Sequence, residues 1–191
     1  SIQTFEANWK DDKMEEKVIL YYIDGQKNEG DYKNDKIEGK GIFYYNSGDK
    51  YDGEWKNNKM DGKGIFYFNN GEKYEGDWRN DLKEGKGAFF ETNGNKVYEG
   101  DWKNDKIEGK GIYYYNNGDR YEGDWKEGKI EGKGIIFYNN GEKYDGYWKN
   151  GCKDGKGAFY QKDEKKIYEG DWKDDKMEGE GIFYYSNGRY E

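Results

Sequence analysis

Paired carboxylates are the side chains of this sequence most able to do chemistry. Glu99 and Asp101 stand two residues apart, and similar pairs recur along the chain. Two neighbouring carboxyl groups can serve as general acid and general base, provided one of them sits in an unusual environment. Here the pair is copied in unit after unit opposite lysines, which is the pattern of a solvated charged face. The chain has no histidine, so it holds no Ser-His-Asp or Cys-His relay. Zinc would have only Cys152 and carboxylates, which excludes a single-chain structural site. Cys152 itself reads as a small turn residue with a free thiol. The stretch Asn104-Asp105-Lys106-Ile107-Glu108-Gly109 looks like a calcium loop, but Lys106 falls where the third position needs an oxygen ligand. Gly109-Lys110-Gly111-Ile112-Tyr113-Tyr114 lacks the last glycine and the helix of a dinucleotide fingerprint. Lysines beside aromatic rings suggest a nucleic-acid platform. Acidic neighbours flank nearly every one, however, and no basic stripe forms. The expectation is therefore no catalytic residue, no metal, no cofactor and no nucleic acid.

The elements that carry these residues follow from composition and period. About 14% of residues are Leu, Ile, Val or Phe and 39% are charged, a balance that ordinarily means disorder. Aromatic residues nevertheless reach 19%, and the 30 glycines are regularly spaced. Apolar surface is present, but on Tyr, Trp and Phe. The net charge of −8 opposes bulk attraction to nucleic acid or anionic lipid. No apolar run is long enough for a transmembrane helix, and no signal-peptide pattern opens the chain. One cysteine and no Asn-x-Ser/Thr sequon point to a reducing, cytoplasmic setting. Ser1 stands where an initiator Met would, so an excerpt of a longer protein is expected.

One repeat organises the whole sequence. Tyr51, Tyr74, Tyr98, Tyr121, Tyr144 and Tyr168 lie 23, 24, 23, 23 and 24 residues apart. Two weaker copies precede them, one with Tyr32 in the tryptophan place and one that keeps Trp9. The expected repeats are 5–27, 28–50, 51–73, 74–97, 98–120, 121–143, 144–167 and 168–189, forming a single domain over 1–191. Tyr190 and Glu191 open a ninth. Each unit reads as a β-hairpin. Tyr98 to Lys103 alternates with period two; Asn104 to Glu108 is rich in turn formers; Gly109 to Tyr115 returns. Asn116-Asn117-Gly118 then reverses the chain, with Asn-Gly as the pair tolerant of positive φ. Gly100, Gly109 and Gly111 are placed on the aromatic face, where a missing Cβ lets Tyr98 and Trp102 lie on bare backbone. Single hairpins cannot stand alone, so each must cover its neighbour.

Tyr98-x-Gly100-x-Trp102, then Gly109-x-Gly111, then Gly118, is similar to the MORN repeat (membrane occupation and recognition nexus). The same spacing recurs at the other five tyrosines, so the resemblance covers nearly the whole chain. It implies an all-β fold: an elongated, twisted, antiparallel sheet of about eight consecutive hairpins, a solenoid-like rod. It also implies a non-catalytic scaffold or adaptor, most like the cytoskeletal division scaffolds of single-celled parasites. The expected location is cytoplasmic, at the cytoskeleton or the cytoplasmic side of a membrane.

The candidate partner groove comprises Tyr51, Trp55, Phe66, Tyr74, Trp78, Phe89, Tyr98, Trp102, Tyr113, Tyr121, Trp125, Tyr144 and Trp148. It would seat cytoskeletal or membrane-associated proteins. A homodimer is expected through the C-terminal repeats, at Trp172, Phe183 and Tyr185. The alternative is a phosphoinositide- or anionic-membrane-binding module, with weak lipid contact through lysines. Two groups of departures stand out. In the first copy Ala7, Glu16 and Val18 replace glycines, so this copy is read as a cap. Copies four and seven have 24 residues, put Ala88 and Ala158 where others have Ile, and shift an apolar residue one place earlier, to Leu82 and Cys152. Their loops, Glu91 to Lys96 and Gln161 to Lys166, are read as bend adjustments or a partner site.

Overall fold

The computed structural model describes residues 2–185 and the backbone of 188–190. Ser1, residues 186–187 and Glu191 lie outside the described residues, and with them part of the eighth expected repeat and of the ninth. Among the described residues every regular element is a strand. The chain forms two compact units, Ser1–Lys96 with Trp102–Asp105, and Val97–Asp101 with Lys106–Glu191.

The first unit is an antiparallel meander of β1 (Ile2–Lys10), β2 (Lys13–Tyr22), β3 (Lys27–Lys33), β4 (Lys36–Tyr44), β5 (Lys50–Lys56), β6 (Lys59–Tyr67), β7 (Lys73–Arg79) and β8 (Leu82–Phe90). The strand β9 (Lys96–Lys103) contributes to both units. The second unit continues with β10 (Lys106–Tyr114), β11 (Arg120–Lys126), β12 (Lys129–Phe137), β13 (Lys143–Lys149), β14 (Cys152–Tyr160), β15 (Lys166–Lys173), β16 (Lys176–Tyr185) and β17 (Gly188–Tyr190). Within each unit, consecutive strands pair antiparallel.

Two kinds of turn set the register. Asn57-Asn58 joins β5 to β6 with both φ values positive, 50° and 67°, and Asn104-Asp105 has 47° and 66°. Such two-residue turns match the twist of the flanking strands, and Asn and Asp tolerate the left-handed region. The turn is thus shorter than the five residues read from the sequence. The other reversal also differs from expectation. Gly118 is left-handed (φ 89°) but Asn117 is not. Tyr115 N–H donates to Asp119 O at 2.9 Å and Gly118 N–H to Tyr115 O at 3.0 Å, so a three-residue loop with one left-handed glycine closes the chain there.

A bulge explains the glycine spacing. Gly123 pairs with Gly134 and Trp125 with Ile130, with a register shift between them. The surplus on β12 is absorbed at Gly132, φ 75°. The amide of Lys133 donates to Asp124 Oδ2 at 3.0 Å. Gly109 holds the same place, φ 69°, and a Cβ there would meet the Asp101 carboxylate 2.9 Å away. Gly109 is therefore required by left-handed backbone, and the reading that put it beneath a ring is corrected. Asp101, read from the sequence as part of a solvated face, accepts the amide of Lys110 at 2.9 Å.

Gly100 and Gly111 do lie beneath a ring. A Cβ on Gly111 would stand 2.5 Å from Tyr98 Cζ. Tyr51, Tyr74, Tyr98, Tyr121 and Tyr144 are no more than 1% exposed. Each phenol spans its own glycine pair; Tyr121 Oη donates to Asp124 O at 3.2 Å. Each tryptophan from Trp55 onward reaches one hairpin back, as when Trp102 Nε1 donates to Gly87 O at 3.1 Å. Tyr51 is held edge-on between Trp55 (5.1 Å) and Trp78 (5.4 Å). Burial of rings this large, at roughly 25 cal/mol per Å², supplies most of the stability.

The first two copies solve the same problem without a seated phenol. Val18 and Leu20 of β2 are buried, whereas Phe5 and Trp9 of β1 are 47% and 54% exposed. In the second copy Asn28 takes the tyrosine place, and the methyl of Ile37 fills the space over Gly30 and Gly41.

Candidate functional site

The sheet presents two chemically distinct faces. On one, the sealed tyrosines form a floor and a second row of rings stands half-buried above it. In the first unit the row is continuous by contact. Centroids lie 4.6 Å apart for Phe43 and Tyr45, 5.7 Å for Tyr45 and Phe66, 4.8 Å for Phe66 and Phe68, and 6.0 Å for Phe68 and Phe89. In the second unit Tyr113 meets Tyr115 at 4.8 Å and Tyr138 meets Phe159 at 6.0 Å. Between those pairs Ile136 stands where other hairpins carry a ring. An open pocket of about 380 Å³ lies there, lined by Tyr115, Ile130, Ile136, Tyr138, Trp148 and Lys153 among others. Burial pushes the Tyr138 phenol up to about 12, helped by Asp119, Asp175 and Glu142.

The candidate groove residues divide between floor and row. Tyr51, Trp55, Tyr74, Trp78, Tyr98, Trp102, Tyr121, Trp125, Tyr144 and Trp148 are all buried; their rings are spent on the sheet itself. Phe66, Phe89 and Tyr113 are half-buried and belong to the row. Phe43, Tyr45, Phe68, Tyr138 and Phe159 stand in the same row, and sequence reading did not single them out. For Tyr45 and Phe68 the signal was the period of two continuing past the strand end, Phe43-x-Tyr45 and Phe66-x-Phe68. Of the expected edge residues, Trp172 is buried, while Phe183 and Tyr185 are 39% and 58% exposed.

Copies four and seven place lysine in the interior. Trp78 faces Lys83 and Trp148 faces Lys153, whereas Trp55 faces Met60 and Trp125 faces Ile130. The apolar residue that moves one place earlier, Leu82, is 37% exposed. Aligning the copies by register would have revealed this exchange; counting apolar residues hid it. The extra residue of copy seven is taken up as a register shift between Phe159 and Tyr160 opposite β15.

The other face is charged. Lys63 meets Asp77 at 2.7 Å, Lys156 meets Asp171 at 2.9 Å, and Lys110 pairs with Asp124. Further along, Lys50 lies 4.4 Å above the Tyr67 ring and Arg120 lies 4.6 Å above Phe137. The charges of Lys63, Lys110 and Lys156 are answered on the same face, which leaves a mixed surface. In the second unit this face holds a groove of about 970 Å³, lined by Lys133, Asp145, Lys156, Tyr160, Glu169 and Ile182 among others.

The acids of the "NDKIEG" stretch also have a structural duty. Glu108 Oε2 accepts the amide of Glu127, Glu84 Oε2 that of Asn104 and Glu131 Oε2 that of Asn150, at 2.8, 3.1 and 2.9 Å. Each carboxylate satisfies the turn of the next hairpin. This geometry accounts for Glu108, an acid of the stretch that first suggested a cation.

Stacked hairpins with ring-on-glycine floors define a repeat protein whose surface is the sum of its copies. The MORN repeat pattern matches residues 29–50, 51–73, 74–96, 98–120, 121–143, 144–163 and 168–188. The chain belongs to the MORN-repeat family. No curated protein matches its sequence. Among solved structures it is similar to the TCP domain of Drosophila melanogaster SAS-4, solved in complex with a proline-rich motif of Ana2. The TM-score is 0.50 at 12% identity, over 79% of this chain and 82% of that one. The TCP10 domain of Danio rerio CPAP aligns over 82% of this chain and 90% of its own, at 14% identity and a TM-score of 0.27. The likeness to SAS-4 is one of fold. Among the described residues no helix is long and apolar enough to cross a membrane.

Proposed function

We propose that this chain is a non-catalytic scaffold whose hairpins act as one array over 1–191 and dock extended segments of partner proteins along the ring-lined face. The observation that carries this reading is the row of half-buried rings in mutual contact, from Phe43 to Phe89 in the first unit. Single exposed rings are ordinary, but contiguous apolar rows are characteristic of interaction surfaces. The spacing supports an extended occupant. Two strands advance about 9.6 Å, and three residues of polyproline II advance about 9.3 Å. A segment crossing the strands would meet an equivalent ring at every third residue. The SAS-4 domain, similar in fold, carries a proline-rich motif of its partner, which supports the same class of ligand here. The proposed setting is a cytoskeletal or membrane-apposed structure on the cytoplasmic side.

The test is cross-linking mass spectrometry on the chain in its native cell. Partner peptides should attach at Tyr45, Phe68, Tyr115 and Tyr138. Cross-links confined to the charged face would overturn the reading. Liposome co-sedimentation at physiological salt supplies the other arm: strong salt-sensitive binding would favour the membrane alternative. Pairing of Lys63, Lys110 and Lys156 with carboxylates argues for no such binding, since surface attraction needs clustered, unanswered cations. The reading also includes self-association through Phe183, Tyr185 and Trp172, the last of them buried. Sedimentation showing a strict monomer at high micromolar concentration would remove that part alone.

A further inference from the structure

Lys83 and Lys153 occupy seats that other hairpins fill with apolar side chains, and each ammonium is boxed by four rings. Lys83 Nζ lies 5.5 Å from the ring centroid of Phe68, 5.1 Å from Tyr74, 5.8 Å from Phe89 and 5.2 Å from Trp102. Lys153 Nζ lies 5.5 Å from Tyr138, 5.2 Å from Tyr144, 5.6 Å from Phe159 and 5.1 Å from Trp172. The two boxes are built from the same four positions of the repeat. Among the described residues, neither amine has a hydrogen bond or ion pair to a protein oxygen. Lys63, Lys156, Lys166 and Lys173, by contrast, each meet a carboxylate.

Ring faces attract a cation through their quadrupoles but offer no strong acceptor for three N–H donors. A cation that keeps its charge and replaces N–H with methyl loses less hydration on entering such a box. We propose that Lys83 and Lys153 are Nζ-methylation sites, and that the four-ring boxes hold the methylated ammonium. In the transfer, the ammonium first gives up a proton. The Nζ lone pair then attacks the methyl carbon of a sulfonium donor carried by a methyltransferase. The N–C bond forms as the S–C bond breaks, and the donor leaves as a thioether. Further rounds give the higher methylated states, and the nitrogen remains cationic in each.

Several features agree with this assignment. Burial lowers the pKa of both lysines, which eases the first proton loss. Asp105 and Glu72 beside Lys83, and Asp175 beside Lys153, act in the opposite direction and favour the cationic product. The open pocket of about 380 Å³ adjoins Lys153 and leaves room for added methyls. Met60 takes the equivalent seat in copy three, so a polarisable, methyl-bearing side chain fits there.

Two measurements test the proposal. Peptide mapping by mass spectrometry, on the chain isolated from its own cells, should find one to three methyl groups on Lys83 and Lys153, enriched over other lysines. Finding both unmodified overturns the assignment. Separately, the purified chain would be dimethylated with isotope-labelled formaldehyde and a borohydride. Methyl resonances that vanish in K83M and K153M should lie upfield of the other dimethyl-lysine signals, displaced by ring currents, with cooperative melting retained. Signals at the ordinary position, or loss of cooperative melting, would show that the boxes do not hold the methylated group. Because Met already fills this seat elsewhere, both variants are expected to fold.

Discussion

At the scale of single residues, stability rests on a contact in which one partner has no side chain. Gly111 offers the Tyr98 ring bare backbone; a Cβ there would lie 2.5 Å from two ring carbons. Overpacking of this kind costs about 1–3 kcal/mol. Gly111→Ala should therefore destabilise the chain in urea unfolding by that amount. In a Tyr98→Ala background most of the cost should disappear, because the clash has been removed. Such coupling is what a double-mutant cycle isolates. Additive effects of the two substitutions would place the source of strain elsewhere. Gly109 is a different case. Its φ of 69° makes Gly109→Ala costly by about 1–2 kcal/mol, and the Tyr98 substitution should not relieve it.

At the scale of the hairpin, carboxylates of one copy complete the turns of the next. Glu131 accepts the amide of Asn150 at 2.9 Å. Glu131→Ala should cost about 0.5–1.5 kcal/mol, the net worth of one such bond. Hydrogen exchange at the Asn150 amide should speed up more than at its neighbours. Unchanged exchange there would mean that the cap is not made in solution. The hairpins themselves were legible in the sequence, because alternation, turn formers and the 23–24-residue period all pointed one way. The bulge was not. Glycine beneath a ring and glycine in left-handed backbone look alike in a sequence, and only the register separates Gly111 from Gly109. The interior lysines escaped for a related reason. Leu82 and Cys152 drew attention as displaced apolar residues, while register turned Lys83 and Lys153 inward. The ring row was legible in Phe66, Phe89 and Tyr113, but the floor was not distinguished from it. Burial depends on the neighbouring copy, which the local pattern does not report.

At the scale of the whole chain, the sealed phenols add up to a shared dependence on pH. Burial raises the pKa of Tyr51, Tyr98, Tyr121 and Tyr144 well above the ordinary value of 10.0, with nearby acids adding to the effect. Tyr138 is pushed up to about 12. A phenol raised in this way gives its full contribution below its unfolded pKa, and loses it as pH climbs toward the folded value. Lys83 and Lys153 are lowered and act in the opposite sense, but they are fewer than the tyrosines. Stability should thus fall as pH rises above about 10. The most direct measurement is a spectrophotometric titration of the 21 tyrosines, followed alongside circular dichroism. Seating on bare glycine predicts that exposed phenols ionise first, and that a second block ionises only as the sheet unfolds. All tyrosines ionising together near pH 10, with the sheet still intact, would contradict it.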